Sequence, residues 1–219
     1  MKKGHFQCRL ESVSRRKYWA KKRESAGIAS GELIHDPHSG IMKDYIHQLG
    51  AFPLTVLLPE GAPETMRESG VFWGTAEPAE KRVNSCVARH LALGLPHEVG
   101  SKDRLSCAID MGHYLVGRFR VGVDIYYSVP SIKHGGDPRN FRAHLLFTTR
   151  EITPDGMGLK TRALDRKGQG GAELMRILST WESIENSMYE RCGIDVRVDC
   201  RSRKAQEIEK KAENDGAKR

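Results

Sequence analysis

Arg142-Ala143-His144-Leu145-Leu146-Phe147-Thr148-Thr149 is the stretch on which the fold turns. It is short and largely apolar, and it follows a loop rich in turn formers, Pro130, Gly135, Gly136 and Pro138. A segment of that kind is a strand inside a sheet. Upstream of the loop, Val121 to Tyr127 (VGVDIYY) has the same character. The two are expected to be antiparallel neighbours.

Further out, Val87, Arg89, Leu91, Leu93 and Leu95 alternate with Cys86, Ala88, His90, Ala92 and Gly94, a strand with one small-residue face. Gly4 to Leu10 alternates in the same way. Phe52 to Leu58 (FPLTVLL), closed by Pro59, reads as a buried strand with Pro53 near its start. From Ser101 to Phe119 the residues Leu105, Ile109, Gly112, Leu115, Val116 and Phe119 keep three- and four-residue spacing, which predicts an amphipathic helix over the sheet with Ser101 as N-cap. Leu174, Ile177, Leu178, Trp181, Ile184 and Met188 mark a second long helix stopped by Gly193, with a short strand at Ile194 to Val198. Helical propensity also returns around Phe72 to Val83. The cation-rich run from Ser14 to Arg23 is placed on a helix ending toward Gly27 and Gly31. Residues 1–200 form one domain, and the charged stretch 201–219 is a helical or disordered tail.

Composition narrows the partners. No run approaches the roughly 20 apolar residues of a membrane helix. Met1-Lys2-Lys3-Gly4 is followed by polar residues rather than an apolar block, so the reading is a cytoplasmic protein. Five scattered cysteines without C-x-x-C spacing give neither a disulfide framework nor a zinc site. A net charge of +8 points to a polyanion, with nucleic acid as the default.

The stretch Arg139-Asn140-Phe141-Arg142-Ala143-His144, with its apolar run and Thr148-Thr149-Arg150, closely resembles the N-x-H-A-H…T-T-R strand of the MobA/MobL relaxases of conjugative and mobilisable plasmids. Leu57 to Pro63, Ala79 to Arg82, Ala88-Arg89, Lys160 to Asp165 and Asp199 to Ser202 look like further landmarks of that family. The resemblance implies an α+β fold of the HUH relaxase kind, a central antiparallel sheet of about five strands with flanking helices. It also implies a tyrosine that attacks a DNA phosphate and a divalent cation held by three imidazoles. A metal on neutral imidazoles polarises the phosphoryl oxygen, and positions two apart on a strand face the same way.

Against that pattern the chain departs where the chemistry sits. Arg142 replaces the first histidine of the H-A-H pair, and a guanidinium has no lone pair for a metal. His144 is the retained ligand position. Ser128 stands where the D-h-x-x-H-x-P pattern has its histidine, with His134 in the next loop as a substitute candidate. Ile28 stands where the attacking tyrosine belongs, and His90 and Ala92 replace two acidic residues. No competent catalytic set is expected, and no cofactor, with Mg²⁺ or Mn²⁺ if the site works after all.

The favoured reading is a relaxase-like protein that binds single-stranded or hairpin DNA of the transfer-origin type without nicking it. Its DNA contacts are placed on Arg15, Arg16, Lys17, Lys21, Lys22, Arg139, Asn140, Arg142, Arg150, Lys160 and Arg162, with Tyr18, Trp19 or Phe141 stacking bases. Two alternatives are kept. One is a nickase with displaced groups, Tyr18 or Tyr127 attacking and His134, His144 and His90 as ligands. The other is a protein-interaction module among relaxosome or type IV secretion components. The chain has no Walker-type G-x-x-x-x-G-K, so no motor is expected.

Overall fold

The computed structural model describes residues 2–14, 34–35, 42–43, 51–82, 85–130, 135–165 and 170–201. Its strands are β1 Lys2–Lys3, β2 Cys8–Ser14, β3 Ile34–His35, β4 Met42–Lys43, β5 Ala51–Leu57, β6 Cys86–Leu95, β7 Val123–Ser128, β8 Phe141–Thr148, β9 Arg150–Thr153, β10 Gly156–Lys160 and β11 Val196–Arg197. Its helices are α1 Ser69–Ala76, α2 Ser101–Phe119 and α3 Gly170–Arg191, with a 3₁₀ turn at Glu64–Arg67. The centre is a five-stranded sheet in the order β2-β6-β8-β7-β5, antiparallel throughout. The α+β architecture matches the expectation.

β8 runs through the middle of the sheet, and the alternation of its side chains builds two cores. Ala143, Leu145 and Phe147 are buried against α2 and α3, where Met111, Leu115, Ile177 and Trp181 meet them. Leu146 points the other way and packs with Val13, Val56, Ala88, Phe72 and Trp73 under α1. Each such aliphatic side chain removed from water contributes about 1.5–3 kcal/mol. The second face is therefore apolar only at its Ala88–Thr148 end. Toward Gly94 and Arg142 it turns polar.

Some boundaries moved. The first sheet strand begins at Cys8 and runs to Ser14, later than the Gly4–Leu10 reading, although Phe6, Cys8 and Leu10 do turn to the main core. β5 is an edge strand rather than a buried one: Phe52 is 54% exposed, and the register shifts between Pro53 and Thr55. Proline donates no ladder hydrogen bond, so an edge tolerates it. The helix near Phe72 starts earlier and is complete by Ala76. Ser101 is the first helical residue of α2, not its cap; Gly100 holds that place without a side-chain bond.

Two helix features position the rest. Gly112 lets α2 approach the sheet, since a Cβ there would lie 2.7 Å from both Ile125 Cδ1 and Leu57 Cδ1. α3 ends as read: Gly193 takes φ +65°, Ile194 N donates to Tyr189 O and Gly193 N to Glu190 O, a Schellman closure. Val196–Arg197 then pairs in parallel with Lys2–Lys3, and the Asn186 side chain bonds both the N–H and the C=O of Val198. The β9–β10 hairpin was not anticipated. Its two-residue turn, Pro154-Asp155 followed by Gly156 at φ +102°, is its sequence signal. Among the described residues, no helix is long and apolar enough to cross a membrane.

Candidate nucleic-acid interface

Directly opposed residues of an antiparallel ladder share a face, so the registers lay out the polar end of the sheet in rows. Gly94, Arg142 and Ser128 form one row. Arg9, Ala92, His144 and Tyr126 form the next. Glu11, His90, Leu146 and Asp124 form the third. Gly94 and Ala92 keep the β6 side of this face low beside the long Arg142 and His144 side chains.

The sheet thus brings together four sequence-marked positions, His90, Ala92, Ser128 and Arg142, around His144. His90 Nε2 lies 2.9 Å from His144 Nδ1, with the rings stacked at 5.1 Å and 22°. The two rings thus turn one nitrogen each toward the other, with donor and acceptor set by the tautomer. Arg142 Nε donates to Asn140 Oδ1 at 2.9 Å. Among the described residues no carboxylate pairs with Arg142.

Behind the histidines sits the first residue of the D-h-x-x-H-x-P run, to which sequence reading gave no role. Asp124, 2% exposed, accepts on Oδ2 from Ser69 Oγ (2.6 Å), Trp73 Nε1 (2.7 Å) and Tyr126 Oη (2.6 Å). Three donors on one oxygen satisfy a buried carboxylate and fix the start of α1 to β7. Tyr126 therefore faces the histidine row but directs its hydroxyl at Asp124. Tyr127 points to the opposite face and stacks on Phe141 at 6.4 Å and 7°, with burial pushing its hydroxyl above the usual tyrosine range. The Arg104 guanidinium lies 3.6 Å from the Phe141 ring centroid. Phe141 is thus held between two neighbours.

The cations selected from sequence fall into different settings. Arg150 and Lys160 converge on Glu80, which is 5% exposed, at 3.0 Å each, and also bond the carbonyls of Gly158 and Cys86. That clasp ties β9 and β10 to the segment after α1. It lies beyond the far end of β8 from Arg142, roughly 20 Å away along the strand. Arg139 chelates Asp137 and holds its carboxyl down to about 2. Arg162 is exposed. Arg15, Arg16, Lys17, Lys21, Lys22, Ile28 and His134, with Tyr18 and Trp19, lie outside the described residues.

The pattern of the MobA/MobL family matches residues 23–217. The chain belongs to that family. This MobA/MobL protein is 25% identical over 209 residues to mobilization protein MobL of Acidithiobacillus ferridurans, covering 84% of the chain and 54% of the relative. It is 27% identical over 197 residues to conjugal transfer protein TraA of Agrobacterium fabrum, covering 76% of the chain and 17% of the relative. The chain spans about half, or less, of the length of these curated relatives. A solved structure described as the molecular basis of vancomycin resistance transfer in Staphylococcus aureus superposes with a TM-score of 0.71 at 24% identity, covering 91% of the chain and all of that structure. That likeness places this MobA/MobL protein in the same fold.

Proposed function

We propose that this MobA/MobL protein holds single-stranded or hairpin DNA of the transfer-origin kind against the polar end of its sheet, in the bacterial cytoplasm, and leaves the strand uncut. The observation that carries this reading is the row of Gly94, Arg142 and Ser128 beside His144. It sets a permanent cation where the family resemblance calls for a metal ligand. A guanidinium steadied by Asn140 can grip a phosphate bidentately. The names of the mobilization and conjugal transfer relatives support DNA as the partner.

The three-imidazole ion site does not fit the residues present. Arg142 has no lone pair and Ser128 offers a neutral hydroxyl, which leaves His144 as the one imidazole at these three family positions. Binding is read as charge and shape complementarity along the low β6 side of the face, with Arg142, Asn140 and Arg139 at one end of the path. Tyr127, one nucleophile candidate of the nicking alternative, lies on the other face of the sheet from His144.

The test is incubation with transfer-origin single strands in Mg²⁺ or Mn²⁺, followed by denaturing gels and an anisotropy titration. The reading expects retained strands, weaker binding in Arg142→Ala, and a salt slope reduced by about one. A covalent protein–DNA adduct would overturn it.

A further inference from the structure

The end of the sheet where β8 begins gathers aromatic side chains on the face covered by α2. Phe52 on β5 opposes Tyr127 on β7 in the ladder, so the two share that face, with Cβ atoms about 4.5–5.5 Å apart. Tyr127 in turn lies parallel to Phe141, 6.4 Å away, and the Arg104 guanidinium covers the Phe141 ring at 3.6 Å. The row therefore runs from Arg104 through Phe141 and Tyr127 to Phe52. Arg104 is buried and the next two rings are half-buried, but Phe52 is 54% exposed and sits on an edge strand. Among the described residues the other exposed large hydrophobics, Val71, Leu159 and Met175, are all non-aromatic.

The surroundings of this row are cationic. Arg104 has no hydrogen-bond partner on Nε or Nη1. Its charge reaches the Tyr127 hydroxyl, where it opposes the larger upward push of burial. Ala51, the residue before Phe52, shares a register row with Ser128 and Arg142. Two strand spacings, about 10 Å, separate Ala51 from Arg142. Phe52 thus marks the β5 edge at the Arg142 end of the sheet, with its side chain on the opposite face. Resting on the proposed function, we infer that Phe52 is a stacking post for one base of the bound single strand, which rounds the β5 edge from the phosphate that Arg142 holds. An unpaired base offers an open π-face that an exposed phenyl ring accepts whatever the base, whereas a duplex keeps that face covered by its neighbours. The charges of Arg104 and Arg142 draw the phosphates on either side of that base.

The experiment uses the full chain and labelled single strands of one length and sequence, with an abasic residue placed at each position in turn. Binding is read by fluorescence anisotropy at constant salt. The wild type is expected to lose about tenfold in affinity when one particular base is missing. Phe52→Ala should weaken the intact strand by about the same factor, lose nothing further at that position and keep the wild-type salt slope. Phe52→Trp should restore both the affinity and the abasic profile. Arg142→Ala should weaken every strand alike and keep the profile. A wild-type profile with no sensitive position overturns the stacking post, as does a profile that survives Phe52→Ala; with binding still dependent on Arg142, the DNA reading stands. Failure of the wild type to bind any single strand more tightly than duplex of equal length removes both. The abasic scan of the wild type needs no variant, so it decides the matter even if Phe52→Ala fails to fold.

Discussion

His90 and His144 face each other across β6 and β8, Nε2 to Nδ1, at 2.9 Å. They sit in adjacent rows of the sheet. The row next to His144 carries Arg142 and Ser128.

Rebuilding the donor set is therefore a direct check. Arg142→His together with Ser128→His places three histidines around His144's neighbourhood, since Ser128 and Arg142 are register partners and His144 is two residues on. The double variant should bind Mn²⁺ or Ni²⁺ measurably in calorimetry and gain thermal stability with added ion, as any ligand of the folded state confers. The wild type should give a far weaker response. Equal binding by both proteins would count against Arg142 as the blocking group.

Glu80 is predicted to act through stability. Its carboxylate is nearly sealed and answers two cations, Arg150 and Lys160, that are each about one-quarter exposed. Glu80→Ala leaves both without their shared partner and should cost about 2–3 kcal/mol, below the full value for a buried pair because water reaches the cations. Urea midpoints measure it. Arg150→Gln should follow Glu80→Ala in stability while changing DNA affinity little. A large affinity loss at unchanged stability would return Arg150 to the binding surface.

How much of this was legible in sequence varies with how local the signal is. β6 from Cys86 to Leu95 could be read to the residue and α2 to within one residue at its start, because period two and period 3.6 each persist there over several turns. Gly193 announced the end of α3 through a conformation few other residues adopt. The edge position of β5 was not readable from its apolar run, although Pro53 hinted at it. Within the site, which residues share a face followed from strand parity. What they touch did not: the His90–His144 bond joins positions 54 apart, Glu80 meets cations 70 and 80 residues on, and Tyr189 reaches Glu98 across 91. Such pairs depend on register and helix placement, which no local pattern encodes.

Gly112→Ala tests how tightly α2 rests on the sheet. The added methyl gains helix propensity worth about 1 kcal/mol, yet it enters space within 2.7 Å of two methyl groups, one of them on Ile125, which is fully buried. Overpacking in such a place costs about 1–3 kcal/mol. The net expectation is destabilisation by about 1 kcal/mol in chemical denaturation. A stabilised variant would mean that α2 yields more readily than its packing implies.

Glu185 gives the clearest dependence on pH. The residue is 1% exposed, its Oε2 has no hydrogen-bond partner, and burial, then Glu98 and Glu182, raise its carboxyl well above the usual range. In the folded chain it therefore keeps its proton at pH values where the unfolded chain has released it. The folded state binds more protons there, so stability must fall as pH rises from about 4.3, the unfolded value, toward the folded one. Below that window the contribution to stability is fully present. Cys8 and Cys107, both pushed up to about 12 chiefly by burial, and Tyr189, raised further, stay protonated across the same range and leave the slope to Glu185. Urea midpoints taken from pH 5 to pH 8 should decline in the wild type, and Glu185→Gln should flatten the decline while raising stability at the alkaline end. A variant as steep as the wild type would show that the proton is held elsewhere.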